Sequence, residues 1–128
     1  MIMDLKDNKR IYTYSETFKF ALEGIRVSIL KEKNIRFHLL FSVIVIVLAI
    51  IFNLTQTEWL FILIAIAGMI VVEMINTAIE RVVDLVTDQY HPLAGQAKDI
   101  AAGAVLIYAI FSVIIGMIIF IPKILMFL

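Results

Sequence analysis

No cysteine occurs in the 128 residues, so the chain has no disulfide, no thiolate nucleophile and no thiolate metal site. Any metal is left to carboxylates and to the two histidines. An excess of charge is missing as well. Eleven basic residues balance eleven acidic ones, so overall charge gives no reason to expect nucleic acid or another polyanion as partner. No Walker A loop is present to cradle nucleotide phosphates. The opening MIMDLKDNKR mixes acids with bases, and no short apolar core with a small-residue cleavage site follows it, so it does not resemble a signal peptide. Finally, Asp, Glu, Lys and Arg are all absent from residues 37–57, 59–72 and 100–122.

Those stretches are apolar. At 62% hydrophobic residues and a mean hydropathy of +1.02, the chain belongs in a bilayer rather than in water. A helix needs about 20 apolar residues to cross the hydrocarbon core, and the first and third stretches are long enough alone. The second suffices only if its helix continues through Glu73 and Asn76, leaving the bilayer while still helical. The reading is therefore an all-α integral membrane fold, a single domain over 1–128, with membrane helices at 36–54, 58–86 and 98–122. The short connection NLTQTE, with Thr57 as N-cap, makes the first two spans antiparallel. Between the second and third lies TDQYHPLAGQA, where Pro92 and Gly95 are expected to break helical continuity.

Basic residues set the orientation. Lys6, Lys9, Arg10, Lys19, Arg26, Lys31, Lys33 and Arg36 precede the first span, Arg81 and Lys98 lie between the second and third, and only Lys123 follows. The positive-inside rule puts the N-terminus and the second connection in the cytoplasm. Ahead of the first span, Phe18, Leu22, Ile25 and Ile29 recur at helical spacing within residues 14–34, with Lys19, Glu23 and Lys33 around them. That pattern predicts an amphipathic interfacial helix, opened by a capping box of Thr13 and Glu16.

The segment VEMINTAIERVVD, residues 72–84, places acids directly after a greasy run. At about 100° per residue, Glu73, Asn76, Glu80 and Asp84 fall on one side of a helix in a stripe roughly 16 Å long. Met74, Ile75, Ile79, Val82 and Val83 take the other side. A helix emerging from a membrane becomes amphipathic anyway, and that suffices for Asp84. Glu73 is different, because an ionised carboxylate near hydrocarbon costs on the order of 2–3 kcal/mol even on lenient insertion scales. A carboxylate there suits a general base accepting a proton from an alcohol. Glu32, at the same membrane level as Glu80, offers a second carboxylate, and two such acids suit a hard cation such as Mg²⁺ completed by phosphate oxygens. Lys98 could meet a phosphate or simply flank the third span, and Asp99 adjoins it. Ala101, Ala102, Gly103 and Ala104 permit close helix packing or passage of a lipid chain.

VEMINTAIERVVD followed by KDIAAGAV at 98–105 resembles the prokaryotic diacylglycerol kinase family, whose signature is E-x-x-N-[ST]-A-I-E-x-x-V-D with a downstream A-K-D. The resemblance runs from about residue 15 to residue 122, and NTAIERVVDLVTDQYHPLAGQAKDIAAGAV and IIGMIIFIPKIL are similar to the Gram-positive, undecaprenol kinase branch. It implies Glu73 as catalytic base, Glu32 and Glu80 as acids holding Mg²⁺ against ATP, and Asn76 in the same polar cluster. It also implies ATP contacts for Tyr90, His91, Lys98 and Asp99, and a homotrimer with shared sites. Phe20, Thr13 and Ala102 depart from the family pattern, where a tyrosine, a basic residue and a serine are usual. The implied activity is ATP-dependent phosphorylation of a membrane lipid alcohol at the cytoplasmic face of a bacterial cell membrane. Undecaprenol is the first choice of acceptor and diacylglycerol the alternative. A small transporter or ion-binding subunit is the rival of another class, but its acids should spread along the depth of a span rather than gather at one end.

Overall fold

The computed structural model describes residues 11–128, so Lys6, Lys9 and Arg10 lie outside the described residues. Among the described residues the chain forms four helices and no strand: α1 (Tyr14–Lys31), α2 (Lys33–Ile51), α3 (Gln56–Val86) and α4 (Pro92–Met126). The last three are long and apolar enough to cross a membrane. Their flanks remain exposed, as at Phe41, Ile44, Ile64 and Phe111, which is stable only where lipid or another chain covers them.

Each helix end has a local cause, and several correct the boundaries expected above. Thr13 caps α1 by accepting from the Glu16 amide at 3.2 Å. The helix then stops at Lys31 rather than 34, because Glu32 is extended (φ −105°, ψ 112°). α2 restarts one residue later, at Lys33 rather than 36. Arg36 secures this joint: its guanidinium donates to the carbonyls of Ile29 (3.0 Å) and Leu30 (2.8 Å), a cation on orphan acceptors at a helix C-terminus.

α2 ends earlier than the expected 54, in a turn through Asn53, the one described non-glycine residue at positive φ (52°). The Leu54 amide donates to Ala49 O and the Asn53 amide to Ile50 O, a Schellman closure for which asparagine is a tolerated alternative to glycine. The cap of α3 is Thr55, not Thr57. Thr55 Oγ1 accepts from the Glu58 amide while Glu58 Oε1 accepts from the Thr55 amide, a complete capping box. Glu58 stands three residues after Thr55, which is why the box forms there. α4 begins at Pro92, not at 98, and runs on to Met126 rather than 122. Pro92 sits at N1, where a missing N–H costs nothing, and the helix continues through Gly95.

Packing pins the ends of the hairpin. Ala49, Leu54, Ile62 and Ile119 form a buried cluster walled by Phe52, Trp59, Ile115 and Phe120, at the end remote from Glu73. Lys123 Nζ reaches Glu58 there at 3.2 Å. Midway, the Tyr108 hydroxyl on α4 donates to Ile64 O on α3 at 2.7 Å, and the Tyr108 ring lies where a Cβ on Gly68 would be. Gly68→Val should therefore force α3 and α4 apart and destabilise the protein by about 1–3 kcal/mol. The check is a lowered thermal midpoint in detergent, largely restored when Tyr108→Ala is added.

Candidate active site

The second half of α3 carries the acids, and tertiary contacts divide their stripe into three. Glu73 is buried, 5% exposed, because α2 packs across it: His38 Nε2 lies 3.3 Å from Glu73 Oε1. One turn on, buried Thr77 continues the same face. Next, Asn76 Nδ2 donates to Glu80 Oε1 at 3.3 Å, while the buried Asn76 Oδ1 has no partner. Last, Asp84 is exposed and accepts from Lys98 Nζ of α4 at 2.6 Å. Both of these side chains are substantially open to solvent, so the pair sets direction more than stability.

Glu32 is held by Arg81, which projects about 100° around the helix from Glu80 and donates to Glu32 Oε1 at 3.0 Å. The joint between α1 and α2 is thereby tied to the α3 residue that follows Glu80. Toward the α3–α4 turn a hollow of about 230 Å³ is lined by Asp84, Asp88, Tyr90, His91, Gly95 and Lys98, among others. Tyr90 is 93% exposed. His91 is already employed as N-cap of α4, its Nδ1 accepting from the Leu93 amide at 3.1 Å. Asp99 lies on the exposed surface of the first turns of α4. A second hollow of about 440 Å³ opens between α1 and α3, lined by Phe20, Gly24, Val27, Ser28, Thr77 and Arg81, among others.

The predicted residues therefore form three groups. Glu73 lies deepest with its imidazole neighbour, the polar layer beyond it consists of two separate pairs, Asn76–Glu80 and Arg81–Glu32, and Lys98 meets Asp84 at the turn. Two participants are not picked out by the motif. His38 stands at the start of the run 37–57 that lacks Asp, Glu, Lys and Arg, and an ionisable ring there is itself a signal. Arg81 reads only as a topology marker until its partner on another helix is seen.

The arrangement places a buried carboxylate roughly 10 Å along the helix from a partly exposed one. That suits an acceptor confined to lipid and a donor approaching from water. Comparison with known proteins agrees: the family model of prokaryotic diacylglycerol kinase matches residues 19–120. The chain belongs to the prokaryotic diacylglycerol kinase family.

Membership covers both ends of the site, from Phe20 on α1 to the first half of α4 and beyond. The undecaprenol kinase of Bacillus subtilis is 43% identical over 122 residues, 94% of this chain and 99% of that protein. A diacylglycerol kinase of Synechocystis is 37% identical over 110 residues, 85% of this chain and 63% of its own length. That of Escherichia coli K12 is 30% identical over 95 residues, 74% and 78% of the two chains. The higher identity to the Bacillus protein places this member of the family in its Gram-positive branch. It is a lipid kinase.

Proposed function

We propose that the protein transfers the γ-phosphoryl group of ATP to undecaprenol, with the whole of 1–128 acting as one membrane-embedded kinase domain. The observation that carries the reaction type is the buried Glu73 at the foot of a polar layer that opens toward the α3–α4 turn. The choice of alcohol rests on the nearly full-length similarity to an undecaprenol kinase, and diacylglycerol is the alternative acceptor.

In this reading Glu73 takes the hydroxyl proton as the lipid oxygen attacks the γ-phosphorus. The bond to the oxygen bridging the β- and γ-phosphorus breaks, and ADP departs. Phosphoryl transfer depends chiefly on positioning and charge neutralisation. Lys98, released from Asp84, supplies charge at the phosphates, and Tyr90, His91 and Asp99 border the nucleotide. Glu80 and the unpartnered Asn76 Oδ1 beside it are oxygen donors of the kind Mg²⁺ takes, and Glu32 would join them on leaving its ion pair with Arg81. When bound, the ion would neutralise phosphate charge. Among the described residues no three acids or histidines converge, which leaves coordination positions to phosphate oxygens.

The N-terminus and the α3–α4 turn face the cytoplasm of a bacterial cell, as the basic residues direct. α1 lies on the membrane surface: Phe18, Leu22 and Ile25 are 64%, 50% and 45% exposed and have lipid to meet. The bare flanks of the spans suit a homotrimer with sites shared between copies. The substrate assay is direct. Purified protein offered undecaprenol or diacylglycerol with Mg²⁺ATP should show the higher kcat/KM for undecaprenol. A clear preference for diacylglycerol would make that lipid the acceptor and leave the chemistry unchanged.

A further inference from the structure

We infer that His38 is the positioning residue of the base, an assignment that rests on the reading of Glu73 given above. His38 Nε2 lies 3.3 Å from Glu73 Oε1, with the two side chains 22% and 6% exposed. Among the described residues no lysine or arginine pairs with this carboxylate, and three nearby cations are committed elsewhere. Arg36 holds the end of α1, Arg81 holds Glu32, and Lys98 holds Asp84. Residue 38 also has neighbours on its own helix. The Phe37 ring meets the imidazole edge-on at 5.6 Å, while the main-chain carbonyl of His38 accepts from Ser42 Oγ at 2.6 Å.

A glutamate has three rotatable side-chain bonds, and a base works only when its oxygen stays within reach of the proton it removes. In the occupied site His38 donates Nε2–H to Oε1, which fixes the carboxylate plane and leaves Oε2 to the lipid hydroxyl. His38 itself touches no substrate. Its removal should therefore reduce turnover and leave substrate affinity alone.

The test uses the full chain in phospholipid nanodiscs containing undecaprenol, with kcat, both KM values and the thermal midpoint read for four variants. His38→Leu and His38→Phe lack the donor and should lower kcat at least about tenfold, with both KM values within about twofold of the parent. His38→Gln keeps an N–H donor and should retain at least about a third of kcat. Glu73→Gln is run beside them. If His38→Phe keeps full kcat while Glu73→Gln abolishes it, the inference is overturned and the base assignment stands. A rise in lipid KM alone would instead make His38 a substrate contact, and a His38→Gln as slow as His38→Phe would remove the donor role. An active Glu73→Gln overturns the base assignment itself. Should His38→Leu fail to fold, His38→Phe and His38→Gln decide the matter without it.

Discussion

Glu73→Gln should lower kcat by about 10²–10⁴-fold, the range a positioned general base supplies. The substitution keeps size and shape, and the amide oxygen can still face His38 Nε2, so the contact between α2 and α3 survives. What disappears is the capacity to accept a proton. Because the change conserves volume and keeps the contact between α2 and α3, the thermal midpoint should stay level. Nucleotide binding should persist, as the polar layer of Asn76, Glu80 and Glu32 is untouched. The measurement is phosphorylated lipid formed per unit time at saturating ATP and undecaprenol, with nucleotide affinity recorded separately. Retention of more than a tenth of the parental kcat would assign the proton to another acceptor.

The second large effect belongs to Glu80. Its Oε1 accepts from Asn76 Nδ2, so Glu80→Ala removes both a proposed metal ligand and the group that orients the neighbouring amide. Activity should fall by about 10²–10³-fold, the cost of losing a preorganised electrostatic group at phosphoryl oxygens. The Mg²⁺ concentration giving half-maximal rate should rise at least about tenfold. Glu80→Asp, which keeps the charge on a shorter stem, should lie between the two. Titrating Mg²⁺ at fixed ATP separates this result from a folding defect, since a smaller folded fraction lowers the rate without moving the midpoint. An unchanged Mg²⁺ midpoint in Glu80→Ala would take Glu80 out of the metal site.

What could be read along the chain is what depends on neighbours in sequence. The spans follow from charge-free runs, the continuation of α3 past Glu73 follows from the length needed to cross, and the shared face of Glu73, Asn76 and Glu80 follows from helical period. The errors arise where two local signals compete. Thr55 and Thr57 are both N-cap residue types, and the choice turned on the reach of Glu58. Pro92 can end one helix or begin another, and its place at N1 took the second option. Beyond local rules lie contacts between helices. Nothing near residue 38 in sequence announces Glu73, and nothing near Arg81 announces Glu32, because 35 and 49 positions separate the partners. The family motif supplied roles for the acids. Their contacts with His38 and Arg81 became visible only with the fold.

Glu32 ends α1 and begins α2 with its main chain alone: its amide donates to Ser28 O at 3.0 Å, its carbonyl accepts from the Arg36 amide at 3.3 Å, and its side chain makes no capping bond. Scaffold and reagent are thus separable at this position. The main-chain bonds of the joint do not need the carboxylate, so substitutions at position 32 other than proline remove the tie to Arg81 while keeping the hydrogen bonds between the two helix ends. Position 32 is thus the place to exchange the proposed metal-binding carboxylate for another group.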